Sequence, residues 1–450
     1  MEENDYLIKK KPLNALIIFS LPMIIGNLFQ QTYTMADSAI VGRFVGEQAL
    51  AAVGACYSLT NIFICVAIGG GIGSSVIVSQ YFGSHNYKKM KTAIFTSMIA
   101  FLVMSFILAC FGLLFSKNIM LVLNTPLDVL NMTVEYLKIY FLGLPFLFMY
   151  NVLSAMFNAL GKSKIPLYFL IFSSVFNIVL DLILVAKFNM GVSGVAWATL
   201  IAQGISAILS FIVLIQQLNK INNDYCQKFN FNELWKMTKI ALPSILQQST
   251  VSIGMMLVQS VVNSFGSQTL AGFSAAMRIE AICVVPMSGI GNAVSSYTAQ
   301  NIGANQYDRV VRGYHWANVL VIIYALVILL VLECFNYQII SLFLGKDYTA
   351  IAMTTGRNYL IFMGWFFCLI GFKMSVDGLL RGAGDMKMFT LANLVNLFIR
   401  VFIAMTFAPE YGIAVVWYAV PIGWCANWII SSIQYRSGKW KKINNMTTEV

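Results

Sequence analysis

Long apolar runs separated by short polar connections most tightly constrain what this chain can fold into. Twelve such runs are visible, at 13–36, 55–79, 93–115, 134–157, 166–186, 192–215, 240–262, 281–299, 317–332, 359–376, 389–407 and 413–433. Each is long enough, or nearly so, to cross a hydrocarbon layer of roughly 30 Å as a helix. In lipid the backbone must satisfy its own hydrogen bonds, and a run of contiguous apolar residues does so as a helix. Only 10% of the 450 residues are charged and 59% are hydrophobic, against roughly 25% charged in soluble domains. The chain therefore reads as an all-α integral membrane protein with about twelve transmembrane helices.

The net charge of +11 reflects loop placement rather than nucleic-acid binding. One set of alternate loops carries Lys9–Lys11, Lys88, Lys89, Lys162, Lys228, Lys236, Arg309, Arg312, Lys387, Lys441 and Lys442 among others, whereas the opposite loops carry only Arg43, Lys117, Lys187 and Lys346. The positive-inside rule then places both termini in the cytoplasm of a multi-pass plasma (inner) membrane protein. Residues 1–12 are polar and charged and run straight into the first apolar segment, so no cleavable signal peptide is expected. The eight cysteines lack CxxC spacing, and His85 and His315 lie far apart, so neither a disulfide framework nor a metal cluster is expected.

The halves repeat each other at an offset near 220 residues. Ser20-Leu21-Pro22 returns as Ala241-Leu242-Pro243, and Gly46 to Ala51 returns as Gly266 to Ala271. Gln80 to Gly83 is echoed by Gln300 to Gly303, Gly161-Lys162-Ser163-Lys164 by Gly384-Asp385-Met386-Lys387, and Val195-Ala196-Trp197 by Val415-Val416-Trp417. Several echoes in one order imply duplication. The expected division is an N-terminal lobe at 1–218, a cytoplasmic linker at 219–239 and a C-terminal lobe at 240–450, each lobe holding six helices. Repeats of this kind are a transporter architecture.

Against that symmetry, two intramembrane acids stand out. Asp181 sits in the run 166–186 with Asn177 one turn before it, on the same helical face. Asp37 lies near the end of the first run. A charge at the centre of a membrane helix costs about 2.5–3.5 kcal/mol on insertion scales, which makes such residues rare and functional by default. In the second half the place of Asp37 falls at or next to Val258, and the pair falls close to Asn396 and Arg400 once a gap of about four residues is allowed. The acids of one lobe are candidates for a cation or proton site, with Thr199 on the next helix adding a hydroxyl; hard oxygen ligands suit Na⁺ as well as H⁺. The second-lobe charges Arg278, Glu280, Asp377 and Arg400 read as structural, with Arg278 and Glu280 in polar contact and Asp377 near the cytoplasmic end.

Other motifs are better explained by packing. Gly69-Gly70-Gly71-Ile72-Gly73 lies inside an apolar helix with no preceding strand, so close helix approach explains it rather than a phosphate loop. Gly161-Lys162-Ser163 lacks the first glycine of a Walker motif, because Met156 holds that place. No nucleophile–base pair or diphosphate-binding acid cluster suggests an enzyme.

In sum, Leu21-Pro22, Asp37, Val41-Gly42, the Gly69–Gly73 stretch with Gln80 and Gly83, Asn177 with Asp181, Gly191 to Ala196 and Arg381 to Asp385 resemble the multidrug and toxic compound extrusion (MATE) transporters, most closely the DinF-like branch. The resemblance implies a two-lobe MATE/MOP-type fold and an antiporter, expected to be monomeric, that exports drug-like, often cationic organic molecules against H⁺ or Na⁺, with no other cofactor and with membrane lipid as its surroundings. It assigns coupling to Asp37, Asn177, Asp181 and Thr199, with Ser154 and Tyr136 as accessory positions. Ser154 stands where the branch carries an Asn, and Ile370 falls near the second-lobe acid of the NorM-like branch. The competing expectation is a lipid-linked oligosaccharide flippase of the same superfamily, which calls for a cationic cavity.

Overall fold

The structure, a computed structural model, describes residues 5–123, 125–221, 226–344 and 348–446. After a short α1 (Tyr6–Lys9), the first half runs α2 (Pro12–Phe44), α3 (Glu47–Gly83), α4 (Tyr87–Val122), α5 (Leu127–Ala159), α6 (Lys164–Asp181) and α7 (Gly191–Asn219). The second half runs α8 (Phe231–Asn263), α9 (Ser267–Gly303), α10 (Tyr307–Phe343), α11 (Ala350–Gly364), α12 (Phe367–Ala383), α13 (Met386–Tyr411) and α14 (Ala414–Arg436), before a 3₁₀ segment at Lys439–Met446. Among the described residues 11 helices are long and apolar enough to span a membrane, or 12 when α11 and α12 count as one span bent by 54°. The expected run 359–376 is thus not one straight helix. Gly364 ends α11, and Trp365 and Phe366 form a turn before α12 begins.

The duplication is written into the backbone as well as the sequence. Left-handed residues recur at matched turns: Gly46 with Gly266, His85 with Asn305, Gly161 with Gly384, and Gly191 with Gly412. Glycine fills most of these positions because a side chain there meets its own backbone. Polar caps start two of the helices. Asn86 Oδ1 accepts from Lys89 N at the head of α4, and Thr349 Oγ1 accepts from Ala352 N at the head of α11.

Two compact units result, one comprising residues 25–245 and the other 1–24 with 246–450. This grouping differs from a division at the polar linker, because both boundaries fall inside helices. They lie in α2 and α8, two residues beyond Pro22 and Pro243, each of which is inside its helix. Glycine contacts give the physical reason. In the 25–245 unit, a Cβ on Gly69 would lie 2.6 Å from the Ile245 backbone, and one on Gly73 would lie 2.3 Å from that of Ala241. In the other unit, a Cβ on Gly289 would lie 2.6 Å from the side-chain Cγ1 of Ile24. The first half of α8 therefore packs backbone to backbone on α3, and the first half of α2 packs on α9.

Each unit has its own apolar centre. In the 25–245 unit Phe141, Phe148, Leu137 and Met120 are buried where α3, α4 and α5 meet, with Phe63 edge-on to Phe141 at 5.4 Å. In the other unit Phe273, Tyr359, Phe367 and Trp424 fill the space among α9, α11, α12 and α14. Large apolar side chains such as Ile107, Leu114, Leu330 and Phe398 stay exposed on the outside, as a surface that meets lipid requires.

Candidate functional site

Asn177 is the centre of the polar cluster in the 25–245 unit. It sits on α6, 1% exposed, with Asp181 one turn later and fully buried. With the amide turned so that every contact pairs a donor with an acceptor, Asn177 Nδ2 donates to Asp181 Oδ2 at 2.9 Å and to Tyr33 Oη at 3.1 Å. Its Oδ1 then accepts from Thr199 Oγ1 at 3.2 Å and Thr199 N at 3.0 Å. Three helices, α2, α6 and α7, thus converge on one carboxamide. Asn177, Asp181 and Thr199 come together as the sequence suggests. The side chain of Asp37, one turn beyond Tyr33 on α2, lies outside the described residues.

Immediately after Asp181 the helix widens into a π-helical turn, Leu182–Lys187. Such turns are rare and concentrate at functional positions, because the wider spiral disturbs the regular i→i−4 ladder. Here it falls directly beside the one fully buried carboxylate of the cluster.

A small cavity opens next to these groups, lined by Tyr136 and Tyr140 of α5 and by Thr199, Leu200 and Gln203 of α7. Thr199 belongs to both features: it meets Asn177 and it lines the cavity. Tyr136 is a cavity wall. Ser154 forms a hydrogen bond with Tyr150 one turn back on α5, and no hydrogen bond to Asn177 or Asp181 is found for it among the described residues.

Two residues of note escape a reading of sequence alone. Tyr33 had a signal, its spacing of four from Asp37. Lys373 had a weaker one, because it lies in the run 359–376 between apolar neighbours. In the structure Lys373 Nζ pairs with Asp377 Oδ2 at 2.9 Å, both side chains nearly fully buried in α12. Asn393 Oδ1 accepts from Lys373 at 3.1 Å, and Ser431 Oγ donates to Asp377 Oδ1 at 3.2 Å. Asp377 is accordingly a buried ion-pair partner. A turn further on, Arg381 donates to Ser295 and Asn292 on α9.

Among the described residues, no ion pair or hydrogen bond makes the expected contact between Arg278 and Glu280. Arg278 is exposed, whereas Glu280 is 7% exposed and accepts a hydrogen bond from Tyr359. Residues two apart on a helix point to different sides. At the turn after α5, Lys162 donates to Gln217 Oε1 of α7. Its partial burial, with the charge of Lys220 nearby, lowers its pKa. A lysine so engaged does not face a phosphate cradle.

Comparison with known proteins agrees with this architecture. The chain is 29% identical over 437 residues, 97% of each chain, to the probable multidrug resistance protein YpnP of Bacillus subtilis. It is 26% identical over 308 residues, 68% of each chain, to the multidrug export protein MepA of Staphylococcus aureus. The fold superposes on an outward-facing multidrug resistance MATE family transporter of the MOP superfamily with a TM-score of 0.89, covering 99% of both chains at 23% identity. The MatE family model matches twice, at residues 22–183 and 243–406, starting at the prolines of the two helices that cross between units. The chain belongs to the MatE family, a family of membrane transporters and not of enzymes.

Proposed function

We propose that this protein is a multidrug efflux antiporter of the DinF-like branch, coupled to H⁺ or Na⁺ and working by alternating access in the plasma membrane with both termini cytoplasmic. The observation that carries the reading is the sharing of Thr199 between the buried Asn177–Asp181 cluster and the adjoining cavity. Asp37, Asn177, Asp181 and Thr199 would receive the ion, with Tyr33 Oη as a further oxygen. Amphipathic, often cationic organic molecules would enter at this cavity as it widens in another state of the transport cycle, the tyrosines supplying flat apolar surface with polar edges.

The coupling logic follows from charge. An ionised Asp181 holds the amide of Asn177 as a donor, which fixes the Oδ1 of Asn177 toward Thr199 in the cavity wall. A proton or Na⁺ at Asp181 competes for that carboxylate, releases the amide and changes the wall that the substrate meets. A ligand shifts a conformational equilibrium only by its differential affinity for the two states. Ion and substrate that prefer different states of this chain of contacts therefore exchange for each other, which is antiport. The relatives, a probable multidrug resistance protein and a multidrug export protein, support this reading over a lipid-linked oligosaccharide flippase. Drug export from energised cells carrying Asp181→Asn is the test: export falls to the background of cells without the protein, and full export by the variant would sink the proposal.

A further inference from the structure

Beyond α14 the chain folds back on the protein instead of trailing away. Gly438 turns it at φ +67°, a region that glycine enters without strain. The 3₁₀ segment that follows packs on α12 and α14. Trp440 pins it there: its ring is buried, stacked on Tyr435 with centroids 6.1 Å apart and tilted against Tyr307 of α10 at 6.3 Å. Its Nε1 donates to the Tyr435 carbonyl at 3.0 Å, the partner that a buried indole N–H needs.

Fixing Trp440 fixes the basic residues that flank it. Arg436, Lys439, Lys441 and Lys442 are all exposed, and Lys441 Nζ lies over the Trp440 ring, 5.5 Å from its centroid. Gln434 of α14 donates to the buried Asp385 at 2.5 Å, which brings the head of α13 and its exposed Lys387 to the same corner. Asp385 is held inside and does not offset these charges at the surface. Asp308, beside Tyr307, is exposed, but Arg312 one turn later on the same helical face carries the opposite charge. Three residues before Arg436, Ile433 is exposed on α14, a helix long and apolar enough to cross a membrane.

We propose that this corner is a binding surface for anionic phospholipid. Arg436, Lys439, Lys441 and Lys442 hold the headgroup phosphate with Lys387 at the edge, and the acyl chains lie along α14 at Ile433. A run of basic residues directly beyond a membrane helix is the pattern that an anionic lipid surface attracts. A loose tail would lose conformational freedom on binding, whereas Trp440 has already set the backbone of this one, so less is lost. The surface belongs wholly to the 1–24/246–450 unit and does not depend on the efflux reading.

The test uses delipidated full-length protein, titrated with phosphatidylglycerol, phosphatidylcholine or glycerol phosphate and read by native mass spectrometry. Wild-type protein is expected to bind phosphatidylglycerol about tenfold or more tightly than phosphatidylcholine. Lys439→Gln, Lys441→Gln and Lys442→Gln together are expected to lower phosphatidylglycerol affinity at least about tenfold, from a scale of about fivefold per basic residue near an anionic surface. Phosphatidylcholine binding is expected to stay the same, which reports an intact fold. Lys88→Gln, Lys220→Gln and Lys228→Gln together remove the same charge from the other unit and are expected to change phosphatidylglycerol affinity by less than about twofold. Trp440→Ala keeps every charge but unpins the tail and is expected to weaken phosphatidylglycerol binding severalfold, while Trp440→Phe, which keeps a stacked ring, retains most of it. Equal losses in the two triple variants, or none in the tail variant, overturn the surface, as does wild-type protein that does not prefer phosphatidylglycerol. Wild-type affinity in Trp440→Ala overturns the role of the pinned tail. Glycerol phosphate that displaces the lipid at equal concentration assigns the corner to a free phosphate and overturns the lipid as its occupant.

Discussion

Replacing Lys373 by Met strands the Asp377 carboxylate in the interior of α12. The two charges are 2.9 Å apart with side chains 6% and 4% exposed, a separation worth about 6 kcal/mol at an effective dielectric constant near 20. Desolvating both ions costs several kcal/mol, so the pair as a whole lies close to neutral, but losing one partner leaves the other uncompensated at about 3–5 kcal/mol. Asn393 and Ser431 soften the loss without removing it, since each hydrogen bond contributes about 1 kcal/mol. Lys373→Met and Asp377→Leu are therefore each expected to destabilise the protein by about 3–5 kcal/mol in equilibrium unfolding in mixed detergent micelles. The double variant is expected to lie only about 1–3 kcal/mol below wild type, because it removes both charges and leaves only Asn393 and Ser431 short of partners. The resulting coupling, at least about 3 kcal/mol, is the signature of a buried pair. Single changes that cost under about 1 kcal/mol and add without coupling would refute the reasoning.

Further outcomes follow from the same geometry. Gly73→Ala places a methyl group against the backbone of Ala241 and is expected to cost about 1–3 kcal/mol by overpacking, read by thermal unfolding in detergent. Gly54→Ala, on the same helix with open space around it, is expected to be neutral or to stabilise by up to about 1 kcal/mol; equal loss from both would contradict the close packing of α3 on α8. Tyr33→Phe removes one acceptor of the Asn177 amide and is expected to shift the ion concentration for half-maximal transport by roughly fivefold, the scale of one hydrogen bond. An unchanged ion dependence would remove Tyr33 from the site. Thr199→Val, which keeps shape but removes the hydroxyl, is expected to weaken both ion dependence and substrate affinity, whereas Thr199→Ser is expected to preserve both; a change in only one property for Thr199→Val would separate the cavity from the cluster.

Much of the architecture is legible in the chain because hydropathy and repetition survive in one dimension. The apolar runs locate the spans, and Leu21-Pro22 against Leu242-Pro243 locates the repeat. The bend between α11 and α12 is not legible, since Gly364, Trp365 and Phe366 interrupt no apolar pattern. Nor are the unit boundaries, which depend on which backbone Gly69, Gly73 and Gly289 meet. The polar linker marks a gap in the membrane pattern rather than a border in packing. Asn177 and Asp181 could be paired from their spacing, Thr199 joined them as a hydroxyl of the next helix and through the family resemblance, and Tyr33 could have joined by its four-residue offset from Asp37. Lys373 stayed hidden for a different reason: one charge in an apolar run is easily smoothed away, and only its 2.9 Å contact with Asp377 shows that it is buried. The Arg278–Glu280 expectation ignored helix geometry, in which two residues apart means opposite sides.

The most direct measurement of the central claim is substrate movement in proteoliposomes under separately imposed Na⁺ and pH gradients, comparing wild type with Asp181→Asn. Wild-type protein is expected to drive substrate uphill with one of the two gradients, and Asp181→Asn is expected to lose that driven movement while still binding substrate. Uphill transport by Asp181→Asn equal to wild type under the same gradient would contradict the account.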